Sequence, residues 1–179
     1  DSVTTDNRDG TRRAVHHLAS FGHRRIGFLG DDPMIATAAE RASGHRDALA
    51  ELDLRPDPAL ERVGVRSERE AQDIVRRMLA LPDPPTAFFT ARNVLTVGAV
   101  RALKELDLRQ RVAVVGFDDF PTADLMEPGI TCVQQAVVTE GELAIDLLLR
   151  RMDGDDSAPR TEVVATTLIP RGSGEIPPR

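Results

Sequence analysis

The chain has 179 residues, of which 41% are hydrophobic and 29% charged, the composition of an ordinary globular protein. Its formal net charge of −6 excludes a basic surface for binding nucleic acid on this chain. No apolar run approaches the ~20 residues that span a membrane, and Cys132 is the only cysteine, which excludes an internal disulfide. We therefore expect a cytoplasmic protein without membrane association.

Helices and strands are predicted to alternate from residue 11 to residue 116. Helices are predicted at Thr11–Phe21, at Ala38–Leu52, from the Ser67–Glu70 capping box to Leu79, and at Val94–Leu106. Strands are predicted at Ile26–Leu29, Arg62–Val65, Thr86–Thr90 and Val112–Gly116. The alternation predicts an α/β fold with a parallel sheet and right-handed crossovers. Gly44 is expected to be a weak point inside the second helix.

The pattern changes after Pro128. Thr131–Gln134 is predicted to be a short extended segment, and Gly141–Met152 a helix that is apolar on more than one face. A last strand is predicted at Glu162–Ile169, followed by a polar tail. The apolar faces of the helix have no obvious partner in the alternating pattern.

Polar residues follow the predicted strands in four loops at one edge of the sheet, where ligands of such folds bind. These residues are Asp31, Asp32, Arg66, Arg92, Asn93, Asp118 and Asp119, and Arg41 lies on the helix after the first loop. Carboxylates, an amide and guanidinium groups suit a polyhydroxylated or otherwise polar small ligand. Spacing alone also allows solvated loop residues or helix caps, and Asn93 in particular could cap its helix.

Signals for catalysis or a cofactor are weak. No nucleophile elbow and no complete dinucleotide fingerprint occur in the sequence. His16, His17 and His23 have no defensible metal spacing with a carboxylate. We therefore expect a protein that is not an enzyme and that carries no metal and no cofactor.

Several stretches resemble the effector-binding core of lactose-repressor-type (LacI/GalR) transcription regulators, in the order of that family. They are Asp6–Asn7 with Gly10, His17–Gly30 (HLASFGHRRIGFLG), Glu40–Leu49 (ERASGHRDAL), Pro84–Leu103, Val112–Phe120 (VAVVGFDDF), Pro128–Gln135 (PGITCVQQ), Gly141–Gly154 and Thr166–Ser173. The resemblance implies a periplasmic-binding-protein-like fold, an α/β doubly wound parallel sheet. Residues 1–135 would form the second lobe, and 136–179 a closing helix, strand and tail. The chain resembles only the second lobe and the closing segment, so we expect the DNA-binding headpiece and first lobe to be absent, which agrees with the acidic charge and the missing initiator Met.

The resemblance also assigns ligand contacts. Arg41 and Asp118 match the main ligand contacts of the family, whereas Arg92 and Asn93 stand where it usually has Asn and Asp. Arg66 stands where some members carry an aromatic ring that stacks on the ligand. These departures leave the chemistry of the ligand open. Asp119, the neighbour of Asp118, is expected to face away, towards a cap or solvent.

The resemblance implies the effector-sensing core of a transcription regulator of the repressor type. A small polar effector such as a sugar would bind between the lobes and control operator binding allosterically through the missing headpiece. Val97 and Met126 match family positions at the dimer interface, which implies a homodimer. The alternative is a periplasmic-type sugar-binding protein of a transporter; an enzyme ranks third.

Overall fold

The computed structural model describes residues 1–178 of the chain, in which helices and strands alternate up to residue 117. The helices are α1 (Asn7–Ser20), α2 (Ala36–Glu51), α3 (Glu68–Leu79), α4 (Asn93–Glu105) and α5 (Val137–Met152). The strands are β1 (Ser2–Thr5), β2 (Ile26–Leu29), β3 (Glu61–Arg62), β4 (Ala87–Thr90), β5 (Ala113–Phe117), β6 (Thr131–Gln134), β7 (Thr161–Val164) and β8 (Thr167–Ile169).

Six strands form the main sheet, in the order β3-β2-β4-β5-β6-β8. All neighbours are parallel except β6 and β8. Every residue of β2, β4 and β5 is buried, as expected for apolar strands covered on both faces. One core cluster joins the sheet to α1 and α2, and a second joins it to α3 and α4. The predicted α/β doubly wound sheet is therefore confirmed.

The prediction of a single last strand at Glu162–Ile169 is wrong, because this segment contains two strands that belong to different sheets. β7 pairs with β1 in a separate two-stranded sheet, and β8 pairs with β6. The chain bends between them because side chains of α1 and the preceding loop hold Thr166. Asp6 Oδ1 accepts a hydrogen bond from the Thr166 amide at 2.7 Å, and Arg13 donates to the Thr166 hydroxyl at 2.6 Å.

A small unit consists of β1, β7 and α5, which packs on both strands. β1 was not predicted, because a polar four-residue segment has no strand pattern of its own. Strand pairing also joins segments on both sides of residue 135. Residues 2–5 pair with 161–164 in the small unit, whereas 167–169 and the tail join the main sheet.

Buried polar contacts fix the tail to the main sheet. The Glu175 carboxylate accepts hydrogen bonds from the Thr131 hydroxyl at 2.8 Å and from the Gly172 amide at 2.6 Å. His23 Nε2 lies 2.7 Å from the carbonyl oxygen of Ile176. Burial lowers the pKa of His23, which favours its neutral form. The tail is therefore an integral part of the unit built around the main sheet.

Gly44 is a close-packing position of α2. A Cβ atom at this residue would lie 2.2 Å from the Arg8 carbonyl oxygen of α1. We expect Gly44→Ala to lower the free energy of unfolding by about 1–3 kcal/mol, because the two helices must separate. Urea denaturation measures this change.

Gly141→Ala in α5 is the matched control. A Cβ atom there would meet nothing within 4 Å. Removing a helical glycine without steric cost should raise stability by up to about 1 kcal/mol. Equal effects of the two substitutions would contradict the close approach of α1 and α2.

Candidate functional site

Three arginine–aspartate pairs line the carboxyl-terminal edge of the main sheet. They are Arg41–Asp118, with 3.5 Å between Nη1 and Oδ2, Arg66–Asp32, with 3.2 Å between Nη2 and Oδ2, and Arg92–Asp31. We call them the three Arg–Asp pairs. They join residues from α2 and from the segments after β2, β3, β4 and β5. The edge of a parallel sheet thus brings together residues that are distant in the sequence.

The three Arg–Asp pairs form one wall of the candidate site. Arg41 is the buried arginine of this wall, with only 8% of the residue exposed. Its Nε donates to Asn7 Oδ1 at 2.8 Å, and its Nη1 donates to the Ala91 carbonyl oxygen at 2.8 Å. The guanidinium carbon lies 3.7 Å from the centre of the Phe117 ring, a cation–π contact. Burial lowers the pKa of Arg41 and the Asp118 carboxylate opposes this, but arginine stays protonated in proteins. The guanidinium is therefore rigidly oriented.

Asp118 immediately follows β5 and has a backbone φ of +69°, in the left-handed region. Its amide donates to the Val133 carbonyl oxygen at 2.9 Å, which fixes this conformation. One carboxylate oxygen accepts from Gln135 Nε2 and the other faces Arg41, while the side chain is 21% exposed. Non-glycine residues held at positive φ cluster at functional sites. Asp118 is thus oriented by its neighbours yet accessible.

Asn7 and Gln135 are parts of the site that sequence reasoning missed. Asn7 Nδ2 donates to Glu40 Oε2 at 2.9 Å and to the Thr5 carbonyl oxygen at 3.1 Å, while its oxygen orients Arg41. Gln135 Nε2 donates to Asp118. Both stand in motifs that carry the family resemblance. That resemblance was the only available signal, since neither residue follows one of the alternating strands.

Arg92 and Asn93 occupy the start of α4. Arg92 is the residue that precedes the helix and pairs with Asp31, whereas Asn93 is its first residue. The suggestion that Asn93 caps the helix is therefore wrong. Its Oδ1 accepts from the Val94 amide at 2.7 Å.

Arg66 lies at the outer rim of the wall. Its side chain is 76% exposed, and its partner Asp32 is about one-third exposed. An ion pair so exposed contributes about 0–1 kcal/mol, so little energy holds Arg66 in this position. Arg66 can therefore reorient towards a ligand at small cost.

Asp119 does not join the wall. Both of its carboxylate oxygens accept from the Arg171 guanidinium, at 2.7 and 2.6 Å. This contact lowers the pKa of Asp119 and holds the charge in place. The expectation that Asp119 faces a cap or solvent is corrected: it forms a bidentate ion pair with the tail.

No group of three or more metal-binding side chains is positioned to hold an ion within residues 1–178. None of the helices in the same residues combines the length and the hydropathy needed to cross a bilayer.

Comparison with known proteins agrees with this architecture. The profile of the periplasmic binding protein-like domain family matches residues 15–174. The chain therefore belongs to this family, and within it corresponds to the C-terminal domain of LacI-type regulators.

Particular relatives support the assignment. The transcriptional repressor PurR of Haemophilus influenzae (strain PittEE) is 28% identical over 87% of this chain and 47% of that protein. A regulatory protein of the LacI family from Chloroflexus aggregans superposes with a TM-score of 0.90, at 27% identity, over 96% of this chain and 62% of that one. The transcriptional regulator CelR, solved as a complex with cellobiose, gives a TM-score of 0.88 at 32% identity, over 96% and 53%.

The chain spans about half the length of the curated relatives it matches. These relatives are named as transcription regulators, which does not favour the alternative of a transporter-associated sugar-binding protein or of an enzyme.

Proposed function

We propose that this chain is the effector-binding half of a transcriptional repressor whose ligand is an uncharged, polyhydroxylated molecule such as a sugar. The observation that carries the proposal is the Arg41–Asp118 pair at the carboxyl edge of the sheet, oriented from behind by Asn7 and Gln135. Preorganised donors and acceptors of this kind bind hydroxyl groups at little cost in ordering.

The charge balance of the wall supports an uncharged ligand. Each of the three arginines is paired with its own carboxylate, so the three Arg–Asp pairs carry no net charge. A strongly charged ligand would have to separate a pair, whereas a hydroxyl group can donate to Asp118 and accept from Arg92. Asn93 and Arg66 complete the proposed ligand set. The cellobiose complex of CelR supports the same ligand class.

The exposed apolar face of α5 supports a lobe that lies outside this chain. Its exposed residues are Val137, Val138, Ile145, Leu148, Leu149 and Met152. A contiguous apolar face on a helix marks an interaction surface. We propose that the first lobe covers this face and closes the cleft. In the complete protein a separate headpiece would bind operator DNA, in the cytoplasm.

We further propose a homodimer formed through Val97 and Met126. Both residues are half-buried, and exposed apolar side chains accompany them: Val94 beside Val97 on α4, and Leu125 beside Met126. Analytical ultracentrifugation of the longer protein tests the dimer, and a monomer at micromolar concentration would contradict it.

A thermal-shift screen of the protein with its upstream lobe tests the ligand class. We expect a neutral sugar, from a panel that includes ribose and cellobiose, to raise the melting temperature. A ligand at 100 times its Kd adds about 2.7 kcal/mol of stability. Stabilisation by sugar phosphates alone would contradict an uncharged effector.

Asp118→Asn should weaken effector binding about tenfold or more, because a charge-assisted hydrogen bond worth ~1.5–3 kcal/mol is lost. Asparagine tolerates the positive φ of this residue, so the backbone is preserved. Titration of operator release with effector measures the change.

Asp119→Asn is the matched control, since Asp119 pairs with Arg171 outside the wall. It should leave the effector concentration for operator release unchanged. If both variants released DNA at the parental concentration, the site assignment would be wrong.

A further inference from the structure

A pocket of about 310 Å³ lies between α2 and the edge of the main sheet, separate from the three Arg–Asp pairs. Its apolar walls come from Ile26, Leu49 and Leu60. Its remaining lining includes His45 of α2 and several arginines. The volume is at the lower end of the range for small-molecule sites. We call it the His45 pocket.

His45 is buried, with 2% of the residue exposed, and neither ring nitrogen has a hydrogen-bond partner within the described residues. The ring stacks on Phe28, with 4.7 Å between ring centres. Burial lowers the pKa of His45 to about 4, so the neutral ring offers one donor and one acceptor. Leaving such groups unpaired is costly, and native structures rarely do so without a reason.

The rim of the His45 pocket carries uncompensated positive charge. Arg46 pairs with Glu61, and Arg25 pairs with both Asp57 and Asp83 at 3.0 Å, so both rim carboxylates and both of these arginines are engaged. Arg55 lines the pocket and forms no ion pair within residues 1–178. Arg24, in the same lining, donates only to the backbone carbonyls of Ala19 and His23. An anionic group would therefore be attracted to this rim.

We propose that the His45 pocket is a second ligand site, which binds a small carboxylate with an apolar body and a hydroxyl or ring-nitrogen group. The carboxylate meets the guanidinium of Arg55, and the apolar body contacts Leu49 and Leu60. The polar group supplies the missing partner of His45 once the ring turns slightly towards the pocket, since neither nitrogen is exposed as the ring stands. This occupant satisfies the pocket's three distinct features with one molecule. It also differs in charge from the ligand proposed for the sheet edge.

Isothermal titration calorimetry of the full chain with 4-hydroxybenzoate tests the proposal, and benzoate and 4-hydroxybenzamide serve as comparison ligands. Benzoate lacks the group that reaches His45, and the amide lacks the charge. We expect 4-hydroxybenzoate to bind with a Kd in the millimolar range or below, and to bind more tightly than the other two compounds. Absence of binding at millimolar concentration, or equal binding of all three, would overturn the proposal.

Two variants locate the binding. His45→Phe keeps a ring that can stack on Phe28 and removes both nitrogens. Arg55→Gln changes an exposed residue that forms no ion pair within residues 1–178. Each should weaken 4-hydroxybenzoate binding about tenfold. Asp118→Asn, the control at the sheet edge, should leave it unchanged. Parental affinity in both pocket variants, or loss in the control, would overturn the assignment.

Discussion

Arg41→Met is expected to lower the free energy of unfolding by about 3–5 kcal/mol, because a buried arginine is removed from several partners at once. Methionine fits the space of the arginine stem but offers no donors. The substitution leaves the Ala91 carbonyl oxygen and Asn7 Oδ1 without their donor, and Asp118 without its cation. It also removes the cation–π contact with Phe117.

Urea denaturation of Arg41→Met and of Arg66→Met separates this cost from the general effect of losing an arginine. Arg66 belongs to the same wall but is largely exposed, so its replacement should change stability by about 1 kcal/mol or less. Adding Asp118→Asn to Arg41→Met should recover part of the loss, because the unpaired carboxylate is then removed. Equal costs for the two arginines would contradict the buried network.

Acidification is expected to destabilise the chain through His45 by about 2–3 kcal/mol between pH 7 and pH 4.5. The pKa of His45 is lowered from 6.5 to about 4 in the folded chain, so the unfolded chain binds a proton more readily in this range. The stability is therefore fully present above pH 6.5 and is lost as the pH falls towards 4. His23, whose pKa is also lowered, acts in the same direction.

The difference between the parent and His45→Phe measures the effect of this one residue. The carboxylates and His23 titrate in both proteins, so their contributions cancel. Denaturation between pH 7 and pH 4.5 should show a shallower loss in the variant, and a higher stability at every pH because no buried nitrogen stays unpaired. Parallel curves for the two proteins would refute the neutral, buried state of His45.

The sequence predicts the elements whose signal is local. The runs at β2, β4 and β5 and the Ser67–Glu70 cap need only their own residues, and the Ser67 hydroxyl accepts from the Glu70 amide as expected. The packing role of Gly44 could not be predicted, because helix propensity carries no information about the neighbouring backbone of α1.

The parts that could not be predicted depend on distant partners. β1 and β7 become strands only because they meet each other. Arg92 and Arg66 were expected at the same edge as Asp31 and Asp32, but their pairing across 61 and 34 positions of sequence could not be predicted. Family resemblance placed Arg41 and Asp118, and the structure brings them together, whereas no pattern pointed to Asn7 or Gln135 as their supports.

The pairing of β1 with β7 has a consequence for the order of folding. Ser2 and Thr161 are opposite each other although they are 159 positions apart in the sequence. Closing so large a loop is entropically unfavourable, whereas each strand–helix–strand segment of the main sheet closes a much shorter one. We therefore expect the main sheet to form first and the β1–β7 pair last. In native-state hydrogen exchange, the amides of this pair should open earliest, well before those of β4 and β5.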